Sequence, residues 1–226
     1  MDILAIIILT ASISNLFLGF LVFIKDPVKR LNRLFGIFSL ILSIWCFTNF
    51  ALLIKPNIFW LKSAYAFGSL AVVSAVLWVL DLSERKITKF KIVLTSGLGL
   101  FFFLASYFSN LIVIEITKIY PQRVECEIGP LFPLFSIYLF GMLAFIIYLL
   151  ASGYKKASEI KKLQLGYVLI GSVLYISIVL IAVAILPLFG NFNFVMLDSP
   201  SSLIFVLFTA LAITRYHLFE IKVILT

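Results

Sequence analysis

Four acidic residues are the first candidates for chemistry in this chain: Glu115, Glu125, Glu127 and Asp198. Such carboxylates can bind a cationic ligand or a divalent ion. A simpler interpretation is a solvated face for the three glutamates and a helix start for Asp198, which precedes Ser199 and Pro200. We favour the simpler interpretation, because exposed acids cost little to place. No metal site is therefore predicted.

Catalytic motifs are absent from the sequence. It contains no HExxH, Walker, GxSxG or zinc-ligand spacing, and its single histidine is His217. Retinal binding would require a lysine in the last apolar segment, and 201–214 contains none. Because catalysis requires clustered reactive groups, we predict no enzyme activity, no catalytic residue and no cofactor.

A second set of candidates consists of polar or amphipathic side chains inside apolar segments. They are Asn15, Trp45, Asn49, Tyr65, Tyr138 and Tyr175. Polar groups in hydrocarbon need partners, so these side chains should face the interior of a helix bundle. They could line a pocket for a small amphipathic ligand. Interhelical hydrogen bonds, each worth about 0.6 kcal/mol, are the alternative that we favour.

The composition requires a lipid bilayer around these residues. The chain has 226 residues, of which 63% are hydrophobic and 12% charged, and its mean hydropathy is +1.19. Continuous apolar runs indicate membrane helices rather than a barrel. The net charge of +8 comes from short basic clusters between the apolar runs. Clusters in such positions set the orientation of a membrane protein, so no nucleic-acid partner is predicted. Cys46 and Cys126 lie in different environments, so no disulfide is expected.

The apolar runs predict a single all-α domain of seven transmembrane helices over residues 1–226. The predicted spans are 3–24, 34–54, 63–80, 92–114, 131–152, 165–186 and 198–215. Residues 115–130 alternate between apolar and polar side chains about a turn at 120–123, which predicts a small β-hairpin between helices four and five. An isolated hairpin is marginal in water, so it should rest on the bundle. Trp60 is predicted in an interfacial link, 55–62.

The basic residues predict the orientation. Fourteen of the 18 Lys and Arg residues lie in the alternate segments 25–33, 81–91, 153–164 and 215–226, and four lie on the opposite side. The positive-inside rule then places the N-terminus and the hairpin outside and the C-terminus in the cytoplasm. The predicted location is the cell membrane, crossed several times.

Small residues recur along the third predicted helix at steps of four, three and four: Ala64, Gly68, Ala71 and Ala75. Small residues let helix backbones approach closely. Packing within one chain is the interpretation that we favour, and a homodimer interface is the alternative.

Four stretches carry a resemblance to a known family. They are NRLFGIFSLILSIWCF (32–47), IGPLFPLFSIY (128–138), KKLQLGYVLIG (161–171) and ALAITRYHLFEI (210–221). Together they are similar to the second helix, the start of the fifth, the start of the sixth and the closing motif of the histidine-kinase N-terminal seven-transmembrane region. The resemblance covers nearly the whole chain, although its motifs are mostly apolar.

The resemblance implies a sensor that passes an extracellular or intramembrane stimulus to a cytoplasmic signalling output, in response to an unknown small-molecule ligand. The expected signal exit is the closing motif, with residues Arg215, Tyr216, Leu218, Phe219, Glu220 and Ile221. The sequence ends at Thr226 without a phosphoacceptor helix or an ATP-binding domain, so kinase activity is not expected in this chain. His217 is interpreted as an interfacial residue.

Two alternatives remain open at this point. A small-solute transporter or channel is disfavoured because the spans lack ionisable residues at mid-depth and show no inverted repeat with broken helices. A membrane scaffold without signal output is the other.

Overall fold

The structure is a computed structural model that describes residues 3–85, 89–120 and 123–216. Its elements are α1 (Ile3–Lys25), α2 (Arg30–Ile54), α3 (Ile58–Leu82), α4 (Lys89–Phe108), β1 (Val113–Tyr120), β2 (Arg123–Ile128), α5 (Phe132–Lys156), α6 (Glu159–Val179) and α7 (Ser202–Tyr216). A π-helical stretch, Leu180–Ile185, and a last turn, Leu186–Leu188, continue α6, and a short 3-10 turn, Val195–Leu197, precedes α7.

Six helical segments in the described part are long and apolar enough to cross a membrane: Ile3–Lys25, Arg30–Ile54, Ile58–Leu82, Phe132–Lys156, Glu159–Ile185 and Val195–Ile213. A shorter apolar helix, Ile92–Phe108, makes the seventh. The predicted seven-helix membrane fold with a small hairpin is therefore confirmed, and the chain is a multi-pass membrane protein.

Six helices form a closed ring that includes α3, and α4 lies beside it. In that ring α1 packs on α2, α2 on α3, α3 on α5, α5 on α6, α6 on α7 and α7 back on α1, while α4 packs on α3. Of the six longer spans, α3 is the most buried. Ala64, Ala71 and Ala75 of its small-residue stripe are buried within the chain. These three alanines therefore lie in the interior of the bundle formed by one chain.

A buried aromatic cluster joins three helices in the half of the bundle nearer the basic residues Arg30 and Arg85. The Trp78 indole of α3 is stacked with the Phe38 ring at 5.7 Å between centroids, and it meets the Phe35 and Phe205 rings at 5.0 and 6.0 Å. These contacts join α2, α3 and α7. Each aromatic pair contributes about 0.5–1.5 kcal/mol beyond the burial of its surface.

The loops gather at two ends of the ring. At one end, which we call the basic end, Arg30 Nε lies 3.3 Å from Asp81 Oδ1, and Lys161 Nζ lies 3.4 Å from Glu84 Oε1. At the other, the hairpin end, Lys62 donates to Asn110 Oδ1 at 2.7 Å. Neighbouring helices therefore alternate in direction, as the predicted topology requires.

The fourth helix is shorter than the sequence predicted. Its span was expected to reach Ile114, but α4 ends at Phe108 and Val113 begins β1. The hydroxyl of Ser109 donates to the Ala105 carbonyl at 2.5 Å and accepts from the Leu111 N–H at 3.2 Å. Local bonds of this kind compete with helix continuation, so the chain leaves the helix here despite its apolar sequence.

The third helix begins earlier than predicted. Asn57 caps α3 by accepting from the Trp60 N–H at 3.0 Å, and the helix starts at Ile58. Trp60 therefore lies in the first turn of α3 and not in the link. Asparagine is a preferred N-cap residue, which is the signal that hydropathy alone overlooked.

The hairpin rests on the bundle as expected. Tyr120 pairs with Arg123 across residues 121–122, and the register has irregularities between Val113 and Lys118. Ile116, Val124 and Cys126 pack against a buried cluster that includes Phe102 and Phe135. Ile128, which was predicted on the same apolar face, is 52% exposed.

The hairpin base is held to the start of α5 by backbone bonds. The N–H groups of Gly129 and Leu131 donate to the carbonyls of Ile112 and Leu111, each at 2.9 Å. A Cβ on Gly129 would overlap the Leu111 carbonyl, so glycine is required at this close approach.

Gly171→Ala should lower the thermal stability of the protein in detergent. A Cβ at Gly171 on α6 would lie 2.6 Å from Phe208 Cβ on α7, and overpacking of this kind costs about 1–3 kcal/mol. Gly141→Ala is the matched control, because a Cβ there meets nothing within 4 Å. Equal melting temperatures for the two variants would contradict the close α6–α7 packing.

Candidate functional site

A cavity of about 200 Å³ lies inside the hairpin end of the bundle. Its walls come from α2, α3, α5, α6, the hairpin and the 3-10 turn before α7. Most of the lining is aliphatic or phenylalanine. The polar and amphipathic lining residues are Trp45, Asn49, Tyr65, Cys126, Tyr175 and Asp198.

Four of the six predicted pocket residues meet at this cavity: Trp45, Asn49, Tyr65 and Tyr175. They come from α2, α3 and α6, helices that are far apart in sequence. The other two serve the helix packing. Asn15 donates to the Ala11 carbonyl at 2.8 Å and to Ser202 Oγ at 3.0 Å, and Tyr138 donates to the Ser69 carbonyl at 3.0 Å.

The position of Trp45 depends on a glycine of the neighbouring helix. A Cβ on Gly68 would lie 3.2 Å from the indole Nε1, so the Trp45 ring lies directly against the α3 backbone. Asn49, one turn along α2, donates its Nδ2 to the Trp45 carbonyl at 2.9 Å. Gly68 of the small-residue stripe therefore leaves space for the Trp45 ring, which lines the cavity.

Asp198 is the charged group of the cavity wall. Its Oδ1 accepts from the N–H of Ser199 at 2.6 Å and from the Ser199 hydroxyl at 3.0 Å. Within the described part of the chain, Oδ2 has no hydrogen-bond partner, and Asp198 forms no ion pair. Among the described residues of the lining, none is lysine or arginine. The cavity therefore has an apolar interior with one carboxylate at its edge.

Asp198 was predicted at a helix start, but in the structure it lies in the turn before α7. Helix α7 begins only at Ser202, and the side-chain bonds of Asp198 go to Ser199. The Ser201 hydroxyl donates to the Asp198 carbonyl at 2.6 Å, which tightens the turn. This short turn, together with Val195–Leu197, directs Asp198 and Met196 to the cavity.

The three glutamates do not join Asp198. Glu115 and Glu127 are exposed, and Glu125 pairs with Arg123 at 3.0 Å. Among the described residues, no group of three or more His, Cys, Asp or Glu side chains is arranged to hold a metal ion. Of the four predicted acids, the three glutamates therefore lie on the hairpin strands, and Asp198 lines the cavity.

The hairpin supplies part of the cavity wall through Val124 and Cys126. Sequence reasoning did not assign these two residues to the site, although the alternation in β2 placed both on one face. Burial raises the pKa of the Cys126 thiol, and interaction with the Tyr65 hydroxyl opposes this shift with a smaller effect. The hairpin and α3 thus meet at the edge of the cavity.

Arg123 ties the hairpin tip to the loop before α7. Its guanidinium lies 4.3 Å from the centre of the Tyr120 ring and donates to Glu125 Oε1 at 3.0 Å. It also donates to Asn193 Oδ1 at 3.2 Å. The segment that carries Asp198 is therefore attached to the hairpin as well as to the bundle.

The start of α7 is fixed by a buried polar junction. Ser202 Oγ accepts from Asn15 Nδ2 of α1, and Cys46 Sγ of α2 lies 3.7 Å from the same oxygen. Cys46 Sγ also lies 3.8 Å from the Ser199 carbonyl oxygen. Two helices of the ring therefore hold the segment that connects the cavity to α7.

The predicted signal exit lies at the far end of α7. Arg215 and Tyr216 are the last two described residues and end the helix. The remaining members of that prediction, Leu218, Phe219, Glu220 and Ile221, lie outside the described residues.

Labelling of Cys126 with a maleimide should be slower at pH 8 than labelling of the same thiol in the unfolded chain. The thiolate is the reacting species, and a raised pKa leaves less of it at that pH. The rate should therefore rise toward the unfolded-state rate only at higher pH. Cys46→Ala removes the other cysteine, which is fully buried. Identical pH profiles in the folded and unfolded states would contradict this prediction.

Comparison with protein families matches residues 7–222 to the N-terminal 7TM region of histidine kinase. A search of curated proteins returned no match.

Proposed function

The chain belongs to the family of histidine-kinase N-terminal seven-transmembrane regions, and from this membership we propose that it is a ligand-responsive input module. A small amphipathic molecule binds in the cavity at the hairpin end. Its binding changes the packing of α7, which passes the change to a cytoplasmic signalling output. The match to a sensor region of this kind also agrees with the absence of a predicted catalytic site.

The observation that carries the proposal is the continuity between the cavity wall and α7. Asp198 lines the cavity, and four residues later Ser202 begins the helix. A ligand that moves Asp198 or Met196 therefore acts on a segment joined directly to α7. A ligand can shift an equilibrium only if it binds the two states with different affinity. Because part of the cavity wall is joined to α7, we expect a movement of α7 to change the cavity and therefore the affinity for the ligand.

Contacts in the first half of α7 support transmission along the helix. Phe205 packs against Phe38 and Trp78 at 5.6 and 6.0 Å, and Phe208 packs closely on Gly171 of α6. Because packed interiors switch between discrete arrangements, we expect a displacement at the start of α7 to repack these rings. The proposed exit residues then follow at the basic end.

The π-helical stretch that continues α6 supports the same site. Pro187 lacks a backbone N–H, and the preceding Leu180–Ile185 segment adopts π-helical geometry. Val183 of this segment lines the cavity. Such π segments occur frequently at functional sites, because they store a local alternative to regular helix geometry.

The proposed orientation places the hairpin end outside the cell and the basic end in the cytoplasm, as the positive-inside rule predicts. A ligand would then reach the cavity from outside or from the outer leaflet of the cell membrane. A phosphatase reporter, which is active only outside the cytoplasm, should be inactive when fused after Thr226. An active phosphatase at that position would contradict the orientation.

Ala64→Phe should change the output of a histidine kinase joined to this chain by several-fold. Ala64 is 7% exposed and lines the cavity, so the added ring occupies the space that a ligand would use. Autophosphorylation in isolated membranes is the measurement. Ala144→Phe on the exposed face of α5 is the matched control and should leave the rate unchanged.

Insertion of two glycines after Tyr216 tests the route in the same fusion. Flexible residues at that point should abolish the effect of Ala64→Phe, because α7 would no longer be coupled rigidly to the output. Persistence of the effect would refute transmission through α7.

A transporter or channel is the alternative function. It predicts solute uptake into proteoliposomes that contain the protein.

A further inference from the structure

We propose that the ligand of this cavity carries a positively charged alkylammonium head on a small apolar body. The inference rests on the proposed ligand-binding function and extends it by naming the chemical class of the ligand. Its basis is the combination of one carboxylate, five aromatic side chains and aliphatic side chains in the described lining of a single small cavity.

Asp198 is half-buried, and its charge favours a cationic ligand in the cavity. Asp198 reaches the wall with one oxygen bonded to Ser199 and with Oδ2 free of hydrogen bonds to the described part of the chain. Burying a carboxylate away from water is costly unless an opposite charge accompanies it. An ammonium group in the cavity would supply that charge.

Two of the four basic residues at the hairpin end are bonded elsewhere, and the other two, Lys55 and Lys118, are exposed and do not line the cavity. Arg123 pairs with Glu125 and bonds Asn193, while Lys62 bonds Asn110. The side chains that share the cavity wall with Asp198 are neutral and include Trp45, Asn49 and Cys126. No described side chain is therefore placed to neutralise Asp198 from within the cavity.

The aromatic lining favours the same class of ligand. Trp45, Tyr65 and Tyr175 come from three helices and line one cavity. Aromatic faces attract cations through their electron-rich π systems, most strongly where water is excluded. A cluster of such rings around a carboxylate is suited to an alkylated ammonium, which needs few hydrogen-bond acceptors.

The size and remaining lining define the body of the ligand. About 200 Å³ is less than the space that a drug-sized molecule occupies, so only a small ligand fits. Leu42, Val72 and Leu143 offer aliphatic surface in the same cavity. We therefore expect a compact apolar group attached to the ammonium head.

Phenyltrimethylammonium and tert-butylbenzene form a matched pair of probes, because they have similar shapes and differ in charge. Isothermal titration of the purified full chain in a neutral maltoside detergent should give affinity for phenyltrimethylammonium that is about thirtyfold higher than for tert-butylbenzene. That factor corresponds to about 2 kcal/mol, the size of a cation–π contribution in a desolvated site.

Asp198→Asn should remove most of this preference. An asparagine retains an Oδ1 acceptor for Ser199, so the turn can be kept while the charge is lost. Glu127→Gln is the matched control, because it removes an exposed carboxylate at the same end and should preserve the preference. An unchanged melting temperature of unliganded Asp198→Asn would show that the variant is folded. If it is not folded, Trp45→Leu serves as the second variant and should also reduce the preference.

Equal affinity for the two probes would overturn the inference while leaving the cavity as a ligand site. A preference that survives Asp198→Asn would overturn it as well, since the charge would then act elsewhere. Failure of both probes to bind would also overturn the inference. The proposed signalling function is tested separately by the Ala64→Phe fusion, so the two failures are distinguishable.

Discussion

The constraint on which this structure depends is that polar groups inside a bilayer must find partners within the protein. The bundle meets it with bonds between helices. Ser12 and Ser43 each donate to the other's carbonyl, at 2.9 and 2.8 Å, and so join α1 to α2. Tyr138 joins α5 to α3 through the Ser69 carbonyl. Such bonds average about 0.6 kcal/mol, so they select the relative position of helices more than they stabilise them.

The same constraint applies to the buried polar junction at the start of α7. Asn15, Cys46 and Ser202 bring three helices to one point, and Ser199 adds the turn that carries Asp198. A change in this junction alters partners for several buried polar atoms at once. In the proposed mechanism, these hydrogen bonds would couple the cavity to α7. Some buried polar atoms have no hydrogen-bond partner in the described part of the chain. Examples are Trp78 Nε1 on α3 and Thr209 Oγ1 on α7.

The hairpin shows how a soluble-type element is stabilised on a membrane bundle. Its own strands are too few to be stable alone. Packing of Ile116 and Cys126 on the buried cluster and the bonds from Arg123 to Asn193 supply the missing contacts. These attachments close the cavity from one side, so the element that rests on the bundle for stability also shapes the site.

Hydropathy and residue spacing were sufficient to predict the seven helices, the hairpin and the inward position of polar residues such as Trp45 and Tyr175. These features depend on the local sequence, because a continuous apolar run must form a helix in a bilayer and alternation indicates a strand. The sequence did not distinguish these cavity residues from Asn15 and Tyr138, nor did it place Asp198 with them. Those outcomes were decided by tertiary structure. Periodicity determines which face of a helix a residue occupies, but helix rotation, tilt and the path of the loop before α7 determine which faces meet.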